Sequence, residues 1–392
     1  MPTRISTRLR PRVLTPVLLL LAAILVVAGC SKAGGDSANT GSTSTSATSS
    51  ANESPALKAA LAEAQALVTA HSQRPTSIGI STPITKPIPT GKKVVFISCG
   101  TDTCTLQGTI IAQGAKDLGW TASTIVTDGS AASIQSAMTS AIRSGANGII
   151  LNATPISEFK PELQEAVSKG IVFEECCTTD PVGNGLSYVT VTPSDDGEYG
   201  TITAAWVASD SQGTGQSLFV QLPIPVLAPY ATEFKSGLQK YCDGGCTYNE
   251  LDVPLTNTAT ETTTDIVSFL RSHPKVKYVV LSVDGALGVG LPAALKLAGI
   301  SGIKVLGEGG TPQIFQYISE NNPEWLSIPF DYYTTDYQML DALARRWAGV
   351  PQVKPAAWDW WLMSKSDLPS SSTLFPVVAN YRQDFLKLWG KG

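Results

Sequence analysis

The chain has 392 residues, 43% of them apolar and 15% charged, with a formal net charge of −4. That is an ordinary globular balance, sufficient for two domains of about 150 residues each. No basic cluster lies beyond the leader, which argues against nucleic acid as a partner, and no second apolar stretch approaches membrane length.

The leader carries Arg4, Arg8, Arg10 and Arg12, with no acidic residue before Asp36. An apolar run from Val13 to Val27 follows, broken only by Thr15 and Pro16. It falls short of the roughly 20 residues of a membrane span, and its flanks read as a secretory signal over residues 1–29. The run ends in Val27-Ala28-Gly29-Cys30, which resembles the bacterial lipobox. The resemblance implies lipidation of Cys30 and an extracytoplasmic chain anchored to the cell membrane by an N-terminal lipid. Residues 30–53, almost wholly Ser, Thr, Gly, Ala and Asn beyond Cys30, read as a flexible tether. Over residues 54–91, Ser54-Pro55 starts a helix with Leu57, Leu61, Ala64, Leu67 and Val68 on one face, and a Pro-rich linker follows.

Six Cys remain besides Cys30, an even number that favours disulfides outside the cytosol. Cys99–Cys104 and Cys242–Cys246 close the shortest loops. Adjacent Cys176 and Cys177 are left either as a strained vicinal ring or as free or cross-paired thiols. Two His and no Cys-x-x-Cys spacing give no metal site, and nothing in the sequence asks for a cofactor.

From Lys92 apolar strands alternate with amphipathic helices. Val94–Ile97, Ser123–Thr127, Gly148–Leu151 and Ile171–Phe173 are the strands of the first half, and helices run to Leu118, over Ser133–Ser144 and over Phe159–Lys169. The rhythm repeats with strands at Ser217–Gln221, Asn249–Pro254, Val279–Leu281, Ile303–Leu306 and Leu326–Ile328. The helices between them fall at Tyr230–Tyr241, Thr262–Ser272, Leu287–Leu297 and Ile314–Ser319. This describes an α/β chain with two doubly wound parallel sheets, whose ligand site lies outside the carboxyl ends of the strands.

Several segments in order then resemble the ribose/galactose-type periplasmic binding proteins, type 1 solute receptors of ABC importers. They are Gly114-Ala115-Lys116-Asp117-Leu118-Gly119-Trp120, Ile142-x-x-Gly145-Ala146-x-Gly148-Ile149-Ile150-Leu151, Ala166-x-x-x-Gly170-Ile171-Val172, Ser272-His273-Pro274 and Gly307-Glu308-Gly309-Gly310-Thr311-Pro312. The similarity runs from about Lys92 to Trp347. It implies two lobes joined by three hinge strands, near Tyr188–Thr192, Ser327–Asp331 and Trp358–Leu362. Lobe one would be residues 92–190 plus 331–358, and lobe two residues 191–330 plus 359–392. It also implies a monomer that passes a small-molecule solute to an ABC permease, or else a ligand-sensing receptor subunit.

The same resemblance assigns the cleft. Cys176-Cys177 stands where sugar-binding members carry an Asp-Arg pair, Phe234 where they carry Arg, and Val283 where they carry Asn, leaving Asp284. Glu308 stands beside their loop Asp, and Phe330 near a hinge Gln. With Asp102, Cys104, Glu175 and Tyr332 these are the candidate ligand contacts. Replacing Arg and Asn by Phe and Val predicts a sugar derivative, or a less polar or aromatic solute, because an unpaired buried polar group costs about 1–3 kcal/mol. A Cys176–Cys177 ring would offer such a solute a flat sulfur platform. An enzyme is the weaker reading. His71 reads as a solvent-facing residue, His273 as a helix-end cation, and neither has a nucleophile partner. Trp358-Asp359-Trp360-Trp361 reads as hinge packing, with Trp358 and Trp360 on one side and Trp361 on the other. The segment Tyr381–Trp389 reads as a docking helix.

Overall fold

A computed structural model describes residues 54–254, 256–354 and 358–392. The signal segment, the tether and Cys30 lie outside the described residues, as does the side chain of Asp102. Among the described residues no helix is long and apolar enough to cross a membrane.

Ser54 accepts a hydrogen bond from the Leu57 N–H at 3.0 Å and so caps α1 (Pro55–His71), as the Ser-Pro signature predicts. The first sheet then builds through β1 (Lys93–Ser98), α2 (Asp102–Leu118), β2 (Thr121–Val126), α3 (Ala131–Arg143), β3 (Gly148–Asn152), α4 (Lys160–Ser168), β4 (Val172–Cys176) and β5 (Leu186–Val189). All five strands are parallel in the order β2-β1-β3-β4-β5. Alternation along β1 sends Val95 and Ile97 to the α3 and α4 face. Val94 and Phe96 join the core on the other side, with Ile110 and Ile111 of α2.

The second sheet repeats the plan. Its elements are α5 (Pro193–Asp210), β6 (Gln216–Gln221), α6 (Ala228–Cys242), β7 (Thr247–Asp252), α7 (Ala259–Ser272), β8 (Tyr278–Leu281), α8 (Asp284–Leu287), α9 (Leu291–Ala298), β9 (Lys304–Gly309), α10 (Pro312–Glu320) and β10 (Glu324–Pro329). The order is β10-β9-β8-β6-β7, again all parallel. Leu218 and Val220 pack toward Ile266 of α7, Leu295 of α9 and Ile314 of α10. Phe219 packs toward α5 and α6. Those two helices touch closely, since a Cβ on Gly200 would stand 2.4 Å from the Tyr230 carbonyl oxygen.

The chain passes between the lobes more often than the three expected crossings. It leaves β5 for α5 through Thr190–Thr192, and leaves β10 for α11 (Tyr332–Ala348), which lies on α2 and β4 of lobe one. It then returns through Trp358–Met363, where Met363 and Ser327 exchange backbone hydrogen bonds of 2.9 and 3.1 Å. Two further passes are made by the termini. α1 packs on α5 and α6 of lobe two, with the linker running on to β1. The closing helix α12 (Tyr381–Leu388), expected with lobe two, instead packs on α11 of lobe one. Its Arg382 forks onto Asp117 of α2 with two 2.8 Å bonds, and the Trp389 indole donates to Asp341 of α11 at 2.9 Å.

His71 is not a free surface residue. Its Nδ1 donates to the Trp360 carbonyl at 2.7 Å, and its own carbonyl accepts from the Leu362 N–H at 2.8 Å, tying α1 to the third crossing. His273 stacks on Phe269 with centroids 4.0 Å apart at the end of α7. The sulfurs of Cys99–Cys104, Cys176–Cys177 and Cys242–Cys246 all stand at disulfide distance. Trp358 and Trp360 stack together in the hinge core, and Trp361 turns to the core of lobe two.

Candidate functional site

Asp331 stands where β10 of lobe two passes into α11 of lobe one. Its carboxylate accepts from the Thr334 N–H (3.2 Å) and hydroxyl (2.5 Å), and from the N–H groups of Val377 and Val378, each at 3.3 Å. One side chain thereby caps α11 and holds the returning C-terminal tail. The cap fixes the start of α11, where Phe330 and Tyr332 pack with ring centroids 4.9 Å apart.

Tyr332 is where the lobes meet. The Thr103 hydroxyl of α2 stands at the Tyr332 hydroxyl, while Glu308 of β9 and Asp284 of lobe two bear on it with their charge and push its pKa up beyond what burial does. Glu308 is only 6% exposed. Burial holds its carboxyl well above the usual range, and the charges bearing on it, Asp196 and Asp284, are both negative. Asp196 lies in the first turn of α5, 5% exposed, with Oδ2 free of any hydrogen bond. Burial, then neighbouring Asp195, pushes Asp196 up to about 8.

Both acids bear on Tyr199, whose buried hydroxyl they push up in pKa beyond what burial does. That hydroxyl has no hydrogen-bond partner. The Tyr199 ring packs against Trp360 with centroids 4.4 Å apart. The Trp360 indole N–H is likewise buried and unpaired. On the lobe-one side, Asn152 donates to Gln107 at 2.8 Å and Gln107 donates to Asp336 at 3.0 Å. That relay leaves Asn152 Oδ1 and Asp336 Oδ2 unmatched. Buried polar groups are seldom left unpaired, so their concentration here points to groups supplied from outside.

The candidates drawn from the sequence divide. Glu308, Tyr332 and Phe330 come together. Asp284 is nearby but already satisfied, accepting from the Gly310 N–H (2.8 Å) and the Ser327 hydroxyl (2.6 Å), so it clamps the ends of β8, β9 and β10. Its burial nevertheless pushes it up to about 7. Glu175 accepts from the Thr154 N–H at 2.9 Å and braces the turn after β3. Its second oxygen is unpaired, and burial pushes it up to about 9. Cys176 is buried and Cys177 half-buried at the end of β4, where Cys177 takes φ +63° and its N–H donates to the Val191 carbonyl at 3.1 Å. Cys104 sits in the first turn of α2, joined to the exposed Cys99.

Phe234 is not brought to the cleft. It is fully buried inside lobe two, 5.8 Å from the Phe219 centroid and 5.9 Å from that of Tyr248. Tyr230, Phe234, Leu238 and Tyr241 recur at helical spacing, so this face of α6 is core. Reading the sequence missed Asp196 and Tyr199, although Asp195-Asp196 behind a Pro carried a signal. Asp195 alone closes the cap, taking the Thr192 N–H (2.7 Å) and hydroxyl (2.6 Å), so the second acid is left over for another purpose. Among the described residues no cluster of His, Cys, Asp or Glu could hold a metal ion.

The sequence profile of the periplasmic binding protein domain matches residues 94–349. The fold is similar to that of a sugar ABC transporter protein from Yersinia enterocolitica, at TM-score 0.63 and 21% identity, covering 80% of this chain and 97% of that one. It is also similar to a 5-methylthioribose transporter solute-binding protein from Thermotoga lettingae, with TM-score 0.63, 18% identity and coverage of 78% and 100%. An ABC sugar transporter subunit from Rhodobacter sphaeroides gives TM-score 0.60, 19% identity and coverage of 71% and 99%. No curated protein matches the sequence. With the profile spanning well over half of its length, and two parallel α/β lobes around a polar interlobe cluster, the chain belongs to the periplasmic binding protein family, a family of solute-binding proteins rather than enzymes.

Proposed function

We propose that the protein is an extracytoplasmic solute-binding lipoprotein that captures a small molecule between its lobes and delivers it to an ABC permease. The observation that carries this reading is the group at Tyr332. Thr103 from lobe one and Glu308 from lobe two both bear on the Tyr332 hydroxyl, and Glu308 also bears on Tyr199, whose hydroxyl is buried without a partner. A solute entering as the lobes close would supply those partners and exclude water. The mixture of acids with the half-buried rings of Phe330 and Tyr332 suits a sugar derivative or another ring with both hydroxyls and an apolar face. The half-buried Cys177 offers sulfur at the crest of β4 for the same face. Anchoring rests on the Val27-Ala28-Gly29-Cys30 signature.

A thermal-shift panel of sugars, sugar derivatives and aromatic solutes tests the binding reading, together with mass spectrometry of solute retained through purification. Stabilisation by a ring-bearing solute is expected. Tight binding of simple pentoses in preference to every derivative would overturn the less polar reading. Labelling cells with a radioactive fatty acid tests the anchor, with incorporation expected in the native chain and absent in Cys30→Ala.

A further inference from the structure

We infer that the segment from His71 to Ile84 is a strap that limits how far the lobes open, with His71 and Arg74 as positioning residues for closure on the solute. This rests on the reading that the solute enters between the lobes.

The strap is fastened at both ends. On the lobe-two side, Arg74 donates to the carbonyls of Val377 at 2.9 Å and Pro376 at 2.7 Å. Its guanidinium stands 5.8 Å from the ring centroids of both Trp361 and Phe375. Trp361 belongs to the core of lobe two, and Phe375 stacks on Phe315 of α10 with centroids 4.8 Å apart. Three residues earlier, His71 holds the third crossing through Trp360 and Leu362, at 2.7 and 2.8 Å. On the lobe-one side, Ile78, Ile80 and Ile84 are buried. The Ile84 N–H donates to the Leu388 carbonyl of α12 at 2.8 Å, and the Thr82 carbonyl accepts from Arg345 of α11.

Only Pro75, Thr76 and Ser77 lie between the two sets of anchors. The four Cα steps from Arg74 to Ile78 reach at most about 14 Å. Wider opening must therefore break the Arg74 bonds or bare the buried isoleucines. Pro75, Ser77 and Ile78 also form one wall of a cavity of about 20 Å³, room for about one water, with Asp331, Trp358 and Trp360 opposite. The strap thus restrains the crossings by its reach and not by wedging against them. A narrower range of open states raises the fraction of molecules ready to close, and the apparent affinity for any solute rises with that fraction.

The test is double electron–electron resonance on the full unliganded chain, with nitroxides on p-acetylphenylalanine replacing Ala132 of α3 and Ala259 of α7. Both positions are exposed, in the first turns of helices that follow β2 and β7, beside the carboxyl ends of those strands. Inserting Gly-Gly-Ser between the exposed Thr76 and Ser77 adds about 10 Å of reach and leaves every anchor in place. A population at longer distance, absent from the native chain, is expected in the inserted chain and in His71→Ala/Arg74→Ala. A merely structural role would lower the unfolding temperature of the double variant without moving its distances. Identical distance distributions in the native and inserted chains overturn the strap. Should the inserted chain lack native circular dichroism, unchanged distances in the double variant overturn it instead. No solute enters this measurement, so either result leaves the solute-binding reading to the panel above.

Discussion

The ring of Tyr199 lies against the indole of Trp360 with centroids 4.4 Å apart and planes inclined by 33°. The first belongs to α5 of lobe two, the second to the crossing strand that His71 holds in place. The pair ties α5 of lobe two directly to the hinge, so a shift in the packing of α5 would bear on the segment through which the lobes are connected.

The Tyr199 hydroxyl is buried and unpaired, which costs about 1–3 kcal/mol in the unliganded fold. Tyr199→Phe should therefore leave stability unchanged or raise the unfolding midpoint, while weakening solute binding about tenfold through loss of one hydrogen bond. Thermal denaturation without solute and a titration with it would check both halves. A fall in midpoint would show that the hydroxyl is satisfied in the native protein.

The pH dependence follows from the buried acids. Asp196 is pushed up to about 8 and Glu175 up to about 9, in both cases mainly by burial. Both hold a proton in the fold where the unfolded chain has already lost it, at about pH 4. The resulting stability is complete below that value and is lost as pH rises through about 8 and then about 9. The unliganded protein should thus lose unfolding temperature steadily between pH 5 and pH 9 in a calorimetric series. Asp196→Asn should flatten the part of that slope below about 8.

Much of this architecture was legible because strand and helix periods are written in apolar residues. Val94–Ile97 and Gly148–Leu151 are apolar runs that only a doubly covered parallel sheet buries on both faces. What escaped depends on contacts between distant segments. The return of α12 to lobe one is decided by Arg382 meeting Asp117, residues too far apart in sequence for periodicity to relate them. The strand Leu186–Val189 escaped because four residues carry little period, and only its end overlaps the hinge expected near Tyr188–Thr192. The site itself was half visible. Glu308 and Tyr332 stood at strand and helix ends, while Asp196 lay one residue past a cap and gave no sign of which way it faced.

Arg345 and Asp341 form an ion pair buried at 1% exposure each, 2.6 Å apart on α11. Arg345 also donates to the Thr82 carbonyl at 2.5 Å and so ties the N-terminal linker to lobe one. Removing one partner of such a pair strands the other charge, at a cost of about 3–5 kcal/mol. Arg345→Ala should lower denaturant stability by that amount without altering the order of solute preference. Loss of preference would mean that the linker helps shape the cleft.

Phe234 provides a test of how far correspondence with sugar-binding relatives extends. If the position were a cleft contact, Phe234→Arg would improve the binding of simple sugars. Its surroundings predict otherwise. A guanidinium there would be fully buried against Phe219 and Tyr248. Even Phe→Ala in such a core costs about 3–5 kcal/mol. A buried unpaired charge costs more, comparable with the whole stability of a domain. Phe234→Arg should therefore fail to accumulate as folded protein, whereas Phe234→Leu should fold and keep the native solute preference. Soluble yield and near-ultraviolet circular dichroism distinguish the two. A folded Phe234→Arg protein that binds ribose or galactose would place this position in the cleft after all.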